Sequence, residues 1–312
     1  MPLFCRHNRL EANCTICQRE KAASRPAPSR GAGSASARRS HTSQAPAARR
    51  HGQGSRAGRL VTKKLARAAE DGYANPLVPG IRATADAERL ATAIALATAR
   101  LDFPGPYPTV AEADDREAAT WLAFLLSVAG PDRPELQEAI VAARPSFATV
   151  EGLDGADAGS GLGEEAERTI AAYRGWVERH GGSQERAIAG EPSWTPARRF
   201  ARTFDRLALP GFGRAARFEF LQTLGAAGVH EVEADGLHVA VAHDDKTTLA
   251  AKRALNSGDA MLLERRAAAL ADAAGVPVGA LDRALALWDR PAPIDAAADD
   301  RLPAIRAALR LG

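Results

Sequence analysis

The sequence predicts a mostly α-helical body with one small β-hairpin, preceded by a zinc-knuckle-like segment and a basic, disordered linker. Alanine dominates the apolar residues and aromatic residues make up only 5% of the chain, a composition that favours helices over sheets. Apolar residues recur at helical spacing from about residue 69 onward, between clear Gly and Pro stop signals. All three cysteines lie within the first 17 residues, which sets that segment apart. We therefore expect three regions, at residues 1–18, 19–68 and 69–312.

The first region contains four side chains of the types that bind zinc: Cys5, His7, Cys14 and Cys17. Three thiolates and one imidazole complete a tetrahedral shell, and Cys-x-x-Cys is a common half of a zinc knuckle. Because four protein ligands leave no open position, we expect a structural Zn²⁺ that supplies the folding energy of this short segment. The Cys-x-His half is tighter than the usual spacing, and an unstructured tail with incidental thiols is the alternative. No pattern for an organic cofactor is found.

The second region carries a strong positive charge. Fifteen of the 41 Lys and Arg residues but only two of the 38 Asp and Glu residues lie in 1–68, so this part has a net charge of +13 and the remainder −10. Residues 19–68 are rich in Ala, Ser, Arg, Gly and Pro without an apolar period, which predicts a flexible tether. A basic arm on an acidic body indicates contact with a polyanion, although a solvated linker without a partner is the alternative.

The sequence gives no indication of export or membrane insertion. No window approaches the ~18 consecutive apolar residues that a membrane span needs, and the N-terminus lacks a signal-peptide core. We therefore expect a cytoplasmic protein with no membrane partner.

The third region predicts a series of helices and one hairpin. Thr195 is expected as an N-cap with Pro196 at the first helical position. Alternating apolar residues from Val229 to Val241 around Asp235-Gly236 predict the hairpin. The helices are expected at 86–101, 113–129, 134–143, 164–180, 196–207, 214–225, 247–255, 260–274, 278–288 and after residue 300.

A Pro-Gly-x-Gly segment between two of these helices is the most informative candidate site. The sequence Leu209-Pro210-Gly211-Phe212-Gly213-Arg214 has the form of the turn in helix-hairpin-helix DNA-binding modules. Its glycines permit a tight turn, and the N–H groups of Gly213 and the following helix can cradle a phosphate. An ordinary turn between helices is the alternative. We call residues 209–213 the bend.

Six arginines lie close to the bend in the sequence, which strengthens the prediction of phosphate binding: Arg198, Arg199, Arg202, Arg206, Arg214 and Arg217. Arg198, Arg202 and Arg206 recur every four residues and therefore share one helix face. In an acidic body, such a concentration of positive charge is what binding to a phosphate backbone requires. We therefore expect DNA contacts from Leu209, Gly211, Gly213, Arg198, Arg202, Arg206, Arg214 and Arg217, with a solvated helix face as the alternative.

Asp245 is the candidate catalytic residue. In the helix-hairpin-helix DNA glycosylase superfamily, an Asp at the start of a helix after the hairpin faces the extruded nucleotide and stabilises positive charge on its sugar or positions a nucleophile. Asp245 has the same order, although it is equally interpreted as an N-cap. Lys252 and Arg253 are expected to neutralise phosphate or pyrophosphate. Trp194 is expected either to stack on a flipped base or to pack as a hydrophobic staple.

Taken together, the motifs resemble one family, the alpha-glutamyl/putrescinyl thymine pyrophosphorylases, clade 3. They cover residues 1–18 and most of 80–290. The resemblance rests on an ordered set of segments: Phe4-Cys5-Arg6-His7-Asn8-Arg9 with Cys14 and Cys17, Arg116 to Leu125, Pro192-Ser193-Trp194-Thr195-Pro196, Leu209 to Arg214, Thr247 to Arg253, and Leu262-Leu263-Glu264-Arg265-Arg266.

This resemblance implies a two-lobed helix-hairpin-helix DNA glycosylase fold that acts on hypermodified thymine in DNA, a chemistry associated with phages. An amine or amino acid co-substrate would displace pyrophosphate from an activated 5-hydroxymethyluracil, or the modified base would instead be excised. Because the atoms of a paired base are inaccessible, either reaction requires that the nucleotide be flipped out of the duplex. A DNA-binding or adaptor protein without catalytic activity is the competing class.

Overall fold

The computed structural model describes residues 68–102, 107–113, 115–148, 163–239, 245–290, 292–294 and 299–312. The predicted zinc ligands and nearly all of the predicted linker lie outside these residues. The described residues are mostly helical, as predicted, and none of their helices is both long and apolar enough to cross a membrane. The helices are Thr84–Asp102 (α1), Tyr107–Ala111 (α2), Arg116–Ala129 (α3), Pro134–Ala143 (α4), Gly163–Arg179 (α5), Gln184–Ala189 (α6), Pro196–Arg206 (α7), Arg214–Ala226 (α8), Lys246–Ala254 (α9), Ala260–Ala274 (α10), Val278–Trp288 (α11) and Leu302–Ala308 (α12).

Side-chain caps explain where several helices begin. The Thr195 hydroxyl accepts a hydrogen bond from the Arg198 N–H at 3.2 Å, which confirms the predicted N-cap of α7. The carboxylates of Asp115 and Asp259 cap α3 and α10 in the same way. These caps satisfy N–H groups that have no partner within the helix.

Two short helices, α2 and α6, were not predicted, because five or six residues are too few to show a helical period. Helix α6 is held by a contact between distant parts of the chain. The Glu117 carboxylate accepts hydrogen bonds from the Gln184 and Glu185 N–H groups and from the Ser183 hydroxyl. Such a contact leaves no local signal in the sequence.

The buried apolar side chains form two hydrophobic clusters. The first cluster is built by α2 to α8 and residues 229–234, and at its centre Phe124 stacks on Tyr173 with ring centroids 3.8 Å apart. The second cluster is built by α1, α9 to α12 and short segments at 78–81 and 237–239. Helix α1 packs most extensively on α11, and Arg89 Nε donates to the Trp288 carbonyl at 2.9 Å. From residue 68 onward, the described part of the chain therefore starts in the second cluster, passes through the first and returns to the second.

The described part of the predicted hairpin, residues 229–239, contains no strand, and the end of the predicted second strand lies outside the described residues. Helices satisfy the backbone groups of this segment instead. The Glu264 carboxylate accepts from the Leu237 N–H at 2.6 Å and from the Val239 N–H at 2.8 Å. The Glu233 N–H donates to the Pro196 carbonyl. Because these hydrogen-bond partners come from helices, the described backbone of this segment does not need hydrogen bonds to a second strand.

The bend is anchored on the first cluster by its own residues. Phe212 is buried, and its ring lies 5.1 Å from that of Phe124. Gly211 has a φ of +75°, and a Cβ atom there would lie 2.1 Å from Thr169 Oγ1 on α5. This glycine is therefore required by its backbone conformation and by its close approach to α5.

We expect Gly211→Ala to lower the free energy of unfolding by roughly 2 to 4 kcal/mol, because it adds both backbone strain and a steric clash. Urea denaturation measures the change. The matched control is Gly175→Ala within α5, where the nearest neighbour of the new methyl is the end of the Arg179 side chain at 3.5 Å. That substitution should raise stability by about 0.5–1 kcal/mol. Equal effects at the two sites would contradict the packing described for the bend.

Candidate nucleic-acid interface

Helix α7 presents an exposed row of arginines beside the bend. Arg198, Arg202 and Arg206 are exposed, and none forms an ion pair with a carboxylate of the described residues. Arg199, at the edge of the buried face, donates to the Ala189 carbonyl at 2.7 Å and to the Glu231 carbonyl at 2.6 Å. The helix thus separates one structural arginine from three whose charge faces solvent. We call these three residues the α7 arginine row.

The Trp194 ring contacts two residues of the α7 arginine row. Its ring is 7% exposed, with the guanidinium carbons of Arg198 and Arg206 at 5.8 and 5.1 Å from the ring centroid. The ring also packs closely on Gly190. The predicted stacking of Trp194 on a flipped base does not fit this burial, and the packing alternative does. Cation–π contacts instead hold two of the arginines in place.

The bend itself lies at the surface. Pro210, Gly211 and Gly213 are exposed, whereas Leu209 is partly buried against the first cluster. Gly213 is the N-cap of α8, and no side chain caps this helix. The first N–H groups of α8 thus have no side-chain acceptor beside an exposed Gly213, and a phosphate oxygen could accept from them.

The structure gives Arg214 and Arg217 a role different from the predicted phosphate contacts. Both residues are buried. Arg217 Nη1 donates to the Phe204 carbonyl at 2.9 Å, and its guanidinium lies over the Phe204 ring. Arg214 is held by three groups of the protein, so neither guanidinium is presented to a DNA strand. Arg214 and Arg217 are three residues apart and share the buried face of α8. The sequence interpretation did not distinguish this face from the exposed one.

Arg214 is the centre of a buried ion cluster. Its Nη2 atom donates to Asp282 Oδ2 at 2.5 Å, its Nε atom lies 3.0 Å from Asp245 Oδ2, and its Nη1 atom donates to the Leu237 carbonyl at 2.8 Å. Asp245 is the N-cap of α9, as the alternative prediction states, and it also accepts from the Thr248 hydroxyl at 2.6 Å. The Asp245 side chain nevertheless remains 19% exposed, compared with 1% for that of Arg214.

The two carboxylates of this cluster have different protonation behaviour. Burial raises the pKa of Asp282 to about 6, although the charge of Arg214 opposes this shift. For Asp245 burial also favours the neutral form, but the charge of Arg214 and the hydrogen bonds from Thr248 outweigh it and lower the pKa. Asp245 is therefore an ionised, partly accessible carboxylate at neutral pH, which is the form that stabilises a developing positive charge.

The structure does not bring Lys252 and Arg253 to Asp245. They lie seven and eight residues further along α9, about 10 Å away at 1.5 Å per residue. Arg253 forms an ion pair with Asp289 and lies over the Trp288 ring in the second cluster. Neither residue is placed to neutralise a phosphate that is bound beside Asp245.

Asp282 was not predicted as part of a site. An acidic residue on the apolar face of α11, next to the buried Leu281 and Leu285, is the signal that identifies it, since a buried carboxylate normally has a partner. Within the described ranges, no group of three or more His, Cys, Asp or Glu residues could hold a metal ion.

No protein-family profile, no curated protein and no solved structure matches this chain. The resemblance to the thymine pyrophosphorylase family therefore rests only on the motifs quoted above and stays a prediction.

The raised pKa of Asp282 gives a prediction about stability and pH. Between about pH 6 and 4, the folded protein binds a proton at Asp282 more readily than the unfolded chain does. The stability that this proton contributes is therefore present at low pH and is lost as the pH rises through about 6. We expect the wild type to gain stability relative to Asp282→Asn between pH 7 and pH 5, as measured by urea denaturation. Parallel pH profiles for the two proteins would show that Asp282 has an ordinary pKa.

Proposed function

We propose that this protein binds duplex DNA through the α7 arginine row and the bend, and that it acts on a modified thymine base with Asp245. The observation that carries the proposal is the exposed row of three arginines, which have no carboxylate partner among the described residues, beside an exposed helix start without a side-chain cap. Positive side chains bind successive phosphates, and the N–H groups of the bend bind one more. This surface occurs in a body whose net charge is negative, so the positive charge is local.

Asp245 is suited to act on a flipped nucleotide. The Asp245 carboxylate contacts Arg214, which is the first residue after the bend. A DNA strand bound at the bend would therefore pass close to this carboxylate. Its lowered pKa keeps it ionised, and its contacts with Arg214 and Thr248 fix its direction. An oriented anion of this kind stabilises an oxocarbenium-like sugar during excision or a cationic methylene during displacement of pyrophosphate.

The family resemblance supplies the substrate class, a hypermodified thymine, and an amine or amino acid as the possible co-substrate. The predicted zinc knuckle and basic tether belong to the same proposal. They would add charge and a folded anchor for a polyanion without taking part in the reaction.

A non-catalytic DNA-binding or adaptor protein is the second candidate. It is favoured by one observation: the Asp245 carboxylate is already occupied as a helix cap and as a counter-charge for Arg214. A residue that holds two structural contacts does not need a catalytic role to explain its presence. Both candidate functions use the same DNA-binding surface, and they differ in whether Asp245 takes part in a reaction on the bound base.

The DNA surface is tested by removing two arginines of the row. Arg202→Ala combined with Arg206→Ala should weaken duplex binding and reduce the slope of log affinity against log salt by roughly 2, about 0.9 for each lost phosphate contact. Fluorescence anisotropy at several salt concentrations measures both quantities. The matched control, Arg179→Ala with Arg310→Ala, removes the same charge from exposed positions elsewhere and should leave the slope nearly unchanged. Equal slopes for all three proteins would refute the assignment.

The reaction is tested on DNA that contains 5-hydroxymethyluracil or its pyrophosphorylated form, with and without an amine donor. Free base indicates excision, and a mass gain on intact DNA indicates transfer. Asp245→Asn should lower either product at least about 100-fold while it preserves the helix cap, because Asn caps as well as Asp. Asp132→Asn, which alters an exposed carboxylate paired with Lys246 at the start of α9, is the control and should retain activity. Salt-sensitive binding without product from any substrate would favour the non-catalytic candidate.

A further inference from the structure

A cavity of about 350 Å³ opens into the first cluster, between the start of α3 and the residues that follow α4. Its walls are mainly apolar, and Trp121 and Phe147 form one of them with an edge-to-face contact at 5.1 Å. This volume lies within the range of pockets that bind small molecules. None of the residues of the α7 arginine row, the bend or the Arg214 ion cluster lines it.

Two side chains of opposite charge line this cavity without pairing. Asp115 and Arg144 are both exposed, and neither forms an ion pair with the other or with any further residue that the structure describes. Asp115 Oδ1 caps α3 by accepting from the Ala118 N–H at 2.7 Å, whereas Oδ2 accepts no hydrogen bond from the described residues. One carboxylate oxygen and one guanidinium therefore remain for a ligand.

Arg144 occupies a position at which glycine is the usual residue. It ends α4 in the left-handed region, with a φ of 41° and a ψ of 58°. A side chain is strained in this conformation, and strain of this kind persists mainly where it serves a site. Glycine at position 144 would remove the guanidinium and relieve the backbone together, so it separates the role of the side chain from its effect on folding.

The two other charged groups of this region do not favour a ligand with a net charge of either sign. Glu117, which also lines the cavity, is already occupied by the N–H groups of Gln184 and Glu185 at the start of α6. Arg174 does not line the cavity, but its guanidinium carbon lies 5.4 Å from the centroid of the Trp121 ring. These two side chains carry opposite charges, so their long-range effects on a bound ligand oppose each other.

We propose that the cavity binds a free α-amino acid with an aromatic side chain, in its zwitterionic form. The ring of the ligand packs on Trp121 and Phe147, its ammonium group contacts Asp115 and its carboxylate contacts Arg144. A planar carboxylate matches the fork of a guanidinium, and aromatic rings gain from edge-to-face or offset contacts. An amine without a carboxylate leaves Arg144 unpaired, and a carboxylate without an amine leaves Asp115 unpaired. This site is independent of the proposed action on DNA.

L-Phenylalanine is the probe, and isothermal titration calorimetry on the full chain is the measurement. We expect saturable binding at about millimolar concentration or tighter. Two analogues each lack one of the charges: 2-phenylethylamine has no carboxylate, and 3-phenylpropionate has no ammonium group. Each should bind at least about tenfold more weakly than L-phenylalanine, because each loses one charge-assisted hydrogen bond.

Two variants identify which charge of the ligand each side chain contacts. Arg144→Gly should weaken L-phenylalanine about tenfold and leave the affinity for 2-phenylethylamine unchanged. Asp115→Asn, which preserves the cap of α3, should also weaken L-phenylalanine about tenfold, but it should not weaken 3-phenylpropionate. Each variant thus removes the partner of only one ligand charge.

The chain offers a matched control for each variant. Arg310→Gly replaces another exposed arginine with a left-handed backbone, and Asp259→Asn replaces another exposed N-cap. Neither residue lines the cavity, so both controls should keep the wild-type affinity. Urea denaturation verifies folding, and Arg144→Gly should be at least as stable as the wild type.

The proposal is overturned if L-phenylalanine does not bind, if either analogue binds as tightly, or if either cavity variant keeps the wild-type affinity. DNA binding by the cavity variants should stay at the wild-type level. A failure of this site is therefore distinct from a failure of the DNA surface.

Discussion

The buried guanidinium of Arg214 is the interaction on which the arrangement of the candidate site depends. Arg214 is the first residue of α8, a helix of the first cluster. Its guanidinium contacts Asp245 at the start of α9, Asp282 within α11 and the Leu237 carbonyl. A buried charge is tolerated only when its partners are held in good geometry, so these contacts fix one another. The bend, the candidate carboxylate and the second cluster are therefore connected through one side chain. Removing Arg214 would leave two carboxylates without their counter-charge, which costs more than an ion pair itself contributes.

The division of the arginines into buried and exposed sets explains how a basic surface forms on an acidic body. Arg199, Arg214 and Arg217 bind carbonyls and carboxylates of the interior, and their charge is used by the fold. Arg198 and Arg206 rest on the Trp194 ring, which limits their rotamers before any ligand arrives. A surface that is ordered in advance loses less side-chain entropy on binding. The number of arginines in the segment is thus a poor guide to its affinity for phosphate, and their placement is a better one.

Local patterns predicted the long helices well, and several boundaries agree to the residue, as for Ala260–Ala274 and Val278–Trp288. Apolar periodicity and caps are local properties, which is why they can be recognised in one sequence. The described part of the predicted hairpin, residues 229–239, shows no strand, because Glu264 and Pro196, which are distant in sequence, take backbone hydrogen bonds of this segment. At the candidate site, the exposure of the bend and the cap at Asp245 were predicted. The burial of Arg214 and the partnership with Asp282 were not, since both depend on contacts between the two clusters.

The path of the chain through the two clusters has a consequence for synthesis. Helix α1 leaves the ribosome early, but its main partner α11 follows only after the whole first cluster has been made, with Arg89 and Trp288 separated by 199 residues. Until then, the apolar face of α1 lacks its main native partner. Contacts this far apart in sequence form late and slowly, and exposed apolar faces promote aggregation in the meantime. The nascent chain is therefore expected to need shielding, by a chaperone or by transient non-native packing, over the time taken to translate the first cluster.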